Sequence, residues 1–162
     1  MKKILFVCTG NTCRSPMAAA LLRHALGRRS GFRVQSAGVA AHSGAPASPE
    51  TAAILKESGI DLDHHRSRPI TSEMVREAML ILAMTRKHRE TVLELFPEAG
   101  ERVFLLGEFT GDPSLREIPD PLGSGRTAYI ETRDAIVAAI PPLLEFLRHA
   151  GDIEEAEADG EV

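Results

Sequence analysis

Two cysteines in 162 residues, Cys8 and Cys13, are too few and too close together to form a structural disulfide framework. No third and fourth ligand lie at zinc-like spacing around them. The neighbouring histidines His64 and His65 cannot both face one ion, so no metal and no cofactor is expected. No apolar run approaches the length of a bilayer span. The run after Lys2 and Lys3 is also too short for a signal peptide, which favours the cytoplasm. Aromatic residues make up only 4% of the chain and interleave with no basic stripe, so nucleic-acid binding is disfavoured. There is no internal repeat.

What remains is an ordinary soluble composition, 43% hydrophobic and 26% charged, in a length that suits one domain with a sizeable core. The net charge of −4 misleads. Residues 151–162 carry six acids and no base, and without them 19 basic residues face 17 acidic ones. A folded domain over 1–150 and an acidic, disordered tail over 151–162 are therefore expected.

Along the chain, strand and helix patterns alternate. Ile4-Leu5-Phe6-Val7 reads as a buried strand, and Pro16-Met17-Ala18-Ala19-Ala20 opens a helix to about Arg28 with proline at its first position. Phe32 to Ser36 reads as a second strand. Ser48 caps a helix stopped by Gly59, and Thr71 caps a short one. Ala78 to Met84 is a nearly unbroken apolar run, as in a central parallel strand. A helix from Arg86 to Phe96, a strand from Val103 to Leu106 and a helix from Thr127 to Arg148, kinked or restarted at Pro141-Pro142, complete the pattern. The fold class is α/β: a single-domain, doubly wound open sheet of about four parallel strands with helices on both faces. Gly107 to Gly125 holds four glycines and three prolines and reads as a long surface loop.

The chemistry concentrates between the first strand and the first helix, in Cys8-Thr9-Gly10-Asn11-Thr12-Cys13-Arg14-Ser15. Ligands of open α/β sheets bind beyond the carboxyl ends of strands, where Cys8 sits. Amides at a helix start, and small residues such as Thr9 and Gly10, can form a nest around a tetrahedral oxyanion. Arg14 offers a planar fork to two oxygens of a phosphate. The same positive field favours the thiolate of Cys8, which can attack phosphorus to give a phosphocysteine. Ser15 reads as the helix N-cap, its hydroxyl also free to donate to the leaving thiolate. Asn11 suits a left-handed backbone position that shapes the loop.

This string resembles the low-molecular-weight protein tyrosine phosphatase family. The resemblance continues through Ser36-Ala37-Gly38, His65-Arg66-Ser67-Arg68, Ile81-Leu82-Ala83-Met84 and Asp120-Pro121, covering roughly residues 1–148. It implies that Asp120 is the general acid that protonates the leaving group and later activates water. Asp112-Pro113 is a decoy outside that context. The resemblance also implies that Ser36 and His65 buttress the loop at Asn11 and Ser15. Cys13 either forms a reversible disulfide with Cys8 or packs as a small residue.

Within that family the position between Asn11 and Cys13 is usually bulky and aliphatic. Here it is Thr12, as in the protein arginine phosphatase branch. Leu122-Gly123 follows Asp120-Pro121 where tyrosine-directed members carry aromatic walls, and the stretch from His42 to Pro49 has no ring either. Thr12 and Leu122 are thus the expected selectivity residues, and phosphoarginine in proteins the favoured substrate, with inorganic phosphate as product. Leu122 also departs from the aromatic of some arginine-directed members. The alternatives are a tyrosine phosphatase with a loosened pocket and, remotely, an arsenate reductase. The latter lacks the extra cysteines its disulfide shuttle needs. An idle phosphate-binding module would need to have lost Cys8, Arg14 or Asp120, and a thiol oxidoreductase would need a closer cysteine pair.

Overall fold

The computed structural model describes residues 1–28 and 30–150; the acidic stretch 151–162 lies outside the described residues. Four strands, β1 (Lys2–Cys8), β2 (Phe32–Gly38), β3 (Ala78–Ala83) and β4 (Val103–Leu105), form one parallel sheet in the order β2-β1-β3-β4. The helices are α1 (Arg14–Leu26), α2 (Pro49–Glu57), α3 (Ser72–Glu77), α4 (Arg86–Leu95) and α5 (Gly125–His149). The expected α/β, doubly wound architecture is the one found.

β1 shows why the sheet is covered twice. Alternate side chains of a strand point to opposite faces. Ile4, Phe6 and Cys8 join a core with Met17 and Leu22 of α1 and Ile136 and Leu143 of α5. Leu5 and Val7 join a second core with Val75 of α3 and Val92 of α4. Each of these fully buried side chains contributes about 1.5–3 kcal/mol relative to exposure, so an unbroken apolar run in the central strand is what two covered faces require. The chain leaves β1 for β2 on one side and later returns to β3 on the other. The crevice opens where those crossovers part, at the carboxyl end of β1.

Most boundaries fall within a residue or two of the pattern. Ser48 and Thr71 cap α2 and α3 by accepting the Thr51 and Met74 amides, and Gly59 follows α2 with φ +76°. Three expectations are corrected. The first helix begins at Arg14, two residues early, so Pro16 is its third residue. Cys13 and not Ser15 sits at the N-cap, with no side chain capping the helix. The second concerns Pro141 and Pro142, through which α5 runs on without a restart. The carbonyls four residues before them belong to Val137 and Ala138, both exposed, so water can take the bonds the prolines cannot make. The stretch from Gly107 to Gly125 is not all surface loop. Gly107 is buried in a 3-10 turn, and a Cβ there would lie 2.0 Å from the Leu115 carbonyl. No helix of the described residues is long and apolar enough to cross a membrane.

Candidate active site

Cys8 ends β1 with only 3% of its surface exposed, and the loop that follows turns beneath it into α1. Two donors converge on its sulfur: the Asn11 backbone amide at 3.3 Å and the Ser15 hydroxyl at 2.8 Å. The Ser15 oxygen accepts the Asn11 side-chain amide at 2.9 Å, which leaves its own proton for Sγ. This arrangement explains the helix boundary. Ser15 is drawn into the first turn to face the thiol, a role that overrides its preference for the cap.

Asn11 is the keystone of the loop. It is fully buried and adopts φ +58°, unlike every other described non-glycine residue. Its Nδ2 donates to Ser15 Oγ and Ser36 Oγ, both at 2.9 Å, and its Oδ1 accepts the Arg68 backbone amide at 3.0 Å. His65 Nε2 donates to the Asn11 carbonyl at 2.7 Å. Burial holds the His65 imidazole below its ordinary basicity, and the charges of Arg23, Arg68 and Arg66 add to this; the bond to Asn11 opposes them. Ser36 and His65 thus stand where the resemblance put them. The end of β2 closes in so tightly that a Cβ on Gly38 would lie 2.4 Å from the Thr9 carbonyl, so glycine is required there.

Arg14 is buried at the first position of α1, and its Nη1 donates to the Ile118 carbonyl at 3.1 Å. Its Nη2 lies 3.7 Å from Asp120 Oδ2. The first amides of α1, having no side-chain cap, remain available to an oxyanion beside that guanidinium. Asp120 has 54% of its side chain exposed, and its Oδ1 accepts the Leu122 amide at 3.0 Å. Asp112 instead caps its own turn by accepting from Ser114, as a structural Asp-Pro does. Thr12 lies in the loop between Asn11 and Cys13, its carbonyl accepting the Ser48 amide at 2.9 Å. Its hydroxyl reaches to 3.8 Å from Cys13 Sγ. Leu122 is largely exposed.

Three contributors escape the sequence reading. His88 of α4 bridges Thr85 Oγ1 through Nδ1, at 3.0 Å, and Thr9 Oγ1 through Nε2, at 2.8 Å. Thr85 caps α4 by accepting the His88 amide, so its proton is free for Nδ1 and the ring hydrogen lies on Nε2 toward Thr9. Burial, reinforced by Arg14, lowers the His88 pKa to about 4. Tyr129 of α5 is buried with its hydroxyl 3.5 Å from Cys13 Sγ. Burial and then Cys13 push its pKa up to about 12. Arg68 appears in the resemblance without a role, yet its amide holds Asn11 and its Nε holds the Ser36 carbonyl at 3.1 Å. A usable signal existed for two of these. His88 shares the buried stripe of α4 with Val92, one helical turn on, and Tyr129 shares that of α5 with Thr132 and Ile136.

With a half-exposed carboxylate facing a nearly buried thiol, its two donors, a guanidinium and an uncapped helix start, the crevice is that of a cysteine-dependent phosphatase. The chain belongs to the family described as low molecular weight phosphotyrosine protein phosphatase, which matches residues 3–152. Among its relatives, a protein-arginine-phosphatase from Geobacillus stearothermophilus is 43% identical over 146 residues, covering 90% of this chain and 96% of that one. A probable low molecular weight protein-tyrosine-phosphatase EpsP from Ralstonia nicotianae is 37% identical, over 93% of this chain and 99% of its own. The solved structure of the YwlE arginine phosphatase, a cysteine-to-serine mutant with a phosphorylated active-site serine, superposes with a TM-score of 0.84 at 37% identity. That match covers 90% of this chain and 95% of the other.

Proposed function

We propose that this phosphatase hydrolyses phosphoarginine in proteins, with Cys8 as nucleophile, Arg14 as phosphate clamp and Asp120 as general acid and base. The observation that carries the choice of substrate is Thr12 in the anion loop with no aromatic wall beside it. The residue after Asp120-Pro121 is an exposed leucine, and the one tyrosine is buried against Cys13. A phosphotyrosine ring would find no stacking partner there. A guanidinium entering beside Asp120 can donate an N–H to the carbonyl oxygen of its carboxyl group, whose acid proton stays free for the leaving nitrogen.

The chemistry follows from the geometry. The loop amides and Arg14 hold the three non-bridging oxygens, and the Arg14–Asp120 contact of 3.7 Å opens to admit them. The Cys8 thiolate forms an S–P bond as the P–N bond to the substrate breaks, and Asp120 donates its proton to the departing guanidine nitrogen. Asp120, now a carboxylate, takes a proton from water as the water oxygen attacks phosphorus. The S–P bond breaks, inorganic phosphate leaves, and the returning thiolate is met by the Ser15 hydroxyl and the Asn11 amide. Partners are phosphorylated proteins. The setting is the cytoplasm, where the Cys8 thiol and the second thiol in its loop, Cys13, stay reduced.

The test is a paired rate measurement on phosphoarginine and phosphotyrosine peptides, with the wild type and with Thr12→Ile. The wild type prefers phosphoarginine, and Thr12→Ile moves the ratio toward phosphotyrosine; a strong wild-type preference for phosphotyrosine overturns the assignment. Cys8→Ser loses turnover by at least about 10³-fold while retaining oxyanion binding. Undiminished hydrolysis by that variant removes the nucleophile from Cys8.

A further inference from the structure

A second cavity lies behind Asn11. It holds about 390 Å3 and is walled by Arg23 of α1, Ser36 of β2, and Asp61, His65, Arg66 and Arg68 of the connection between α2 and α3. Neither Cys8, Arg14 nor Asp120 lines it. Its volume falls in the range of small-molecule sites, about 300–1,000 Å3.

The cavity is unbalanced in charge. Three guanidiniums meet one carboxylate, and among the described residues none of the three has a salt-bridge partner. Each is held instead by backbone carbonyls. Arg23 gives Nε and Nη2 to the Val34 carbonyl at 3.1 and 2.8 Å, and Arg68 gives Nε to that of Ser36 at 3.1 Å. Arg66 gives Nη1 to the carbonyls of Asp63 and His65 at 3.1 and 2.7 Å. Carbonyl bonds fix where a guanidinium points without cancelling its charge. The remaining N–H groups of three oriented forks stay available around one concavity, a setting that concentrates an anion. Burial lowers the basicity of Arg23, and the neighbouring charge of Arg68 adds to this.

The same walls hold the phosphate loop. Ser36 Oγ accepts the Asn11 side chain, His65 donates to the Asn11 carbonyl, and the Arg68 amide binds Asn11 Oδ1. We propose that this cavity binds a small phosphate-bearing anion, and that its occupancy is transmitted through Ser36, His65 and Arg68 to Asn11 and so to the catalytic loop. By linkage, the anion and an oxyanion in the catalytic loop alter each other's affinity by the same factor. The inference is independent of which phosphorylated side chain the enzyme hydrolyses.

Inorganic pyrophosphate is the probe. Calorimetry on Arg14→Met protein, which lacks the catalytic clamp, reads the second site alone: one equivalent binds, and adding Arg23→Gln and Arg66→Gln weakens it at least tenfold. In steady-state kinetics on otherwise wild-type enzyme, pyrophosphate changes kcat, and the proportional change disappears in the Arg23→Gln/Arg66→Gln enzyme, measured against that variant's own rate without pyrophosphate. No binding to folded Arg14→Met protein, binding indifferent to the two glutamines, or inhibition that is purely competitive overturns the proposal. If Arg14→Met does not fold, the kinetic arm decides by itself. Because heat of binding requires no turnover, this result stands apart from the outcome of the paired substrate assay.

Discussion

The phosphate loop and the loop that carries Asp120 serve one reaction but are built in opposite ways. Asn11 is fully buried and spends its amide, carbonyl and both side-chain polar atoms on partners from four segments of the chain. Asp120 is more than half exposed and is held by one backbone bond and a contact to Arg14. The acid loop is anchored just before it, not at it. The Ile118 amide binds the Met84 carbonyl at 2.9 Å, and Thr132 Oγ1 donates to the Pro119 carbonyl at 3.2 Å. A nest that must present several donors to one anion cannot relax between turnovers. A carboxylate that must meet leaving groups and then water needs room around it. The difference teaches that stability and catalysis are separable in one loop and fused in the other.

That separation can be broken experimentally. The largest effect is expected at Asp120: Asp120→Asn lowers kcat by about 10²–10⁴-fold, with a thermal midpoint close to the wild type because the side chain carries little packing. A large loss of stability in this variant would erase the contrast between the loops. Asn11→Ala should damage both properties. It orphans buried groups on Ser15, Ser36 and Arg68, each costing about 1–3 kcal/mol, and puts a Cβ without local hydrogen bonds at a left-handed position. Denaturant unfolding should show a shift of several kcal/mol, alongside a fall in kcat; a variant as stable as the wild type shows that the brace is dispensable.

His88 sharpens the comparison by pH. Its folded pKa, about 4, lies below the ordinary value of 6.5, so the unfolded chain binds the extra proton first as pH falls. The contribution of the neutral ring is therefore complete above about pH 6.5 and is lost progressively toward pH 4. His88→Gln should flatten the stability profile in that window, measured as the difference in unfolding free energy between pH 7 and pH 4.5. Identical slopes for the two proteins would detach His88 from the loop's stability. The smallest effect belongs to Leu122→Phe on the acid loop. An exposed substitution there changes stability by no more than about 0.5 kcal/mol, while the relative rate on phosphotyrosine peptides rises.

What could be read from the sequence divides along the same line. The run from β1 through Cys8 and Arg14 into α1 is contiguous, so strand, nest, clamp and helix follow from local pattern. Glycine and proline mark the loop that carries Asp120, but its choice over Asp112 rests on the family resemblance. Ser36 and His65 came only with the family resemblance, since nothing local ties residues so distant in the chain to Asn11. His88, Tyr129 and the role of Arg68 lie beyond both readings. Each is set by packing of one helix or connection against the end of a parallel sheet, which local propensity does not encode. The start of α1 was misplaced for the same reason: the cap preference of Ser15 yields to a thiol that the sheet delivers to it.

The topology also sets an order of assembly. The catalytic loop is made before its partners, which are Ser36, His65, Arg68, His88, Ile118 and Tyr129. Contacts of such sequence separation form late, after the entropy of closing long stretches of chain has been met. During synthesis the Cys8 thiol therefore leaves the ribosome as an exposed side chain, without the field that favours its thiolate. It becomes a guarded one only when the segment through α5 has been made and has folded back over it.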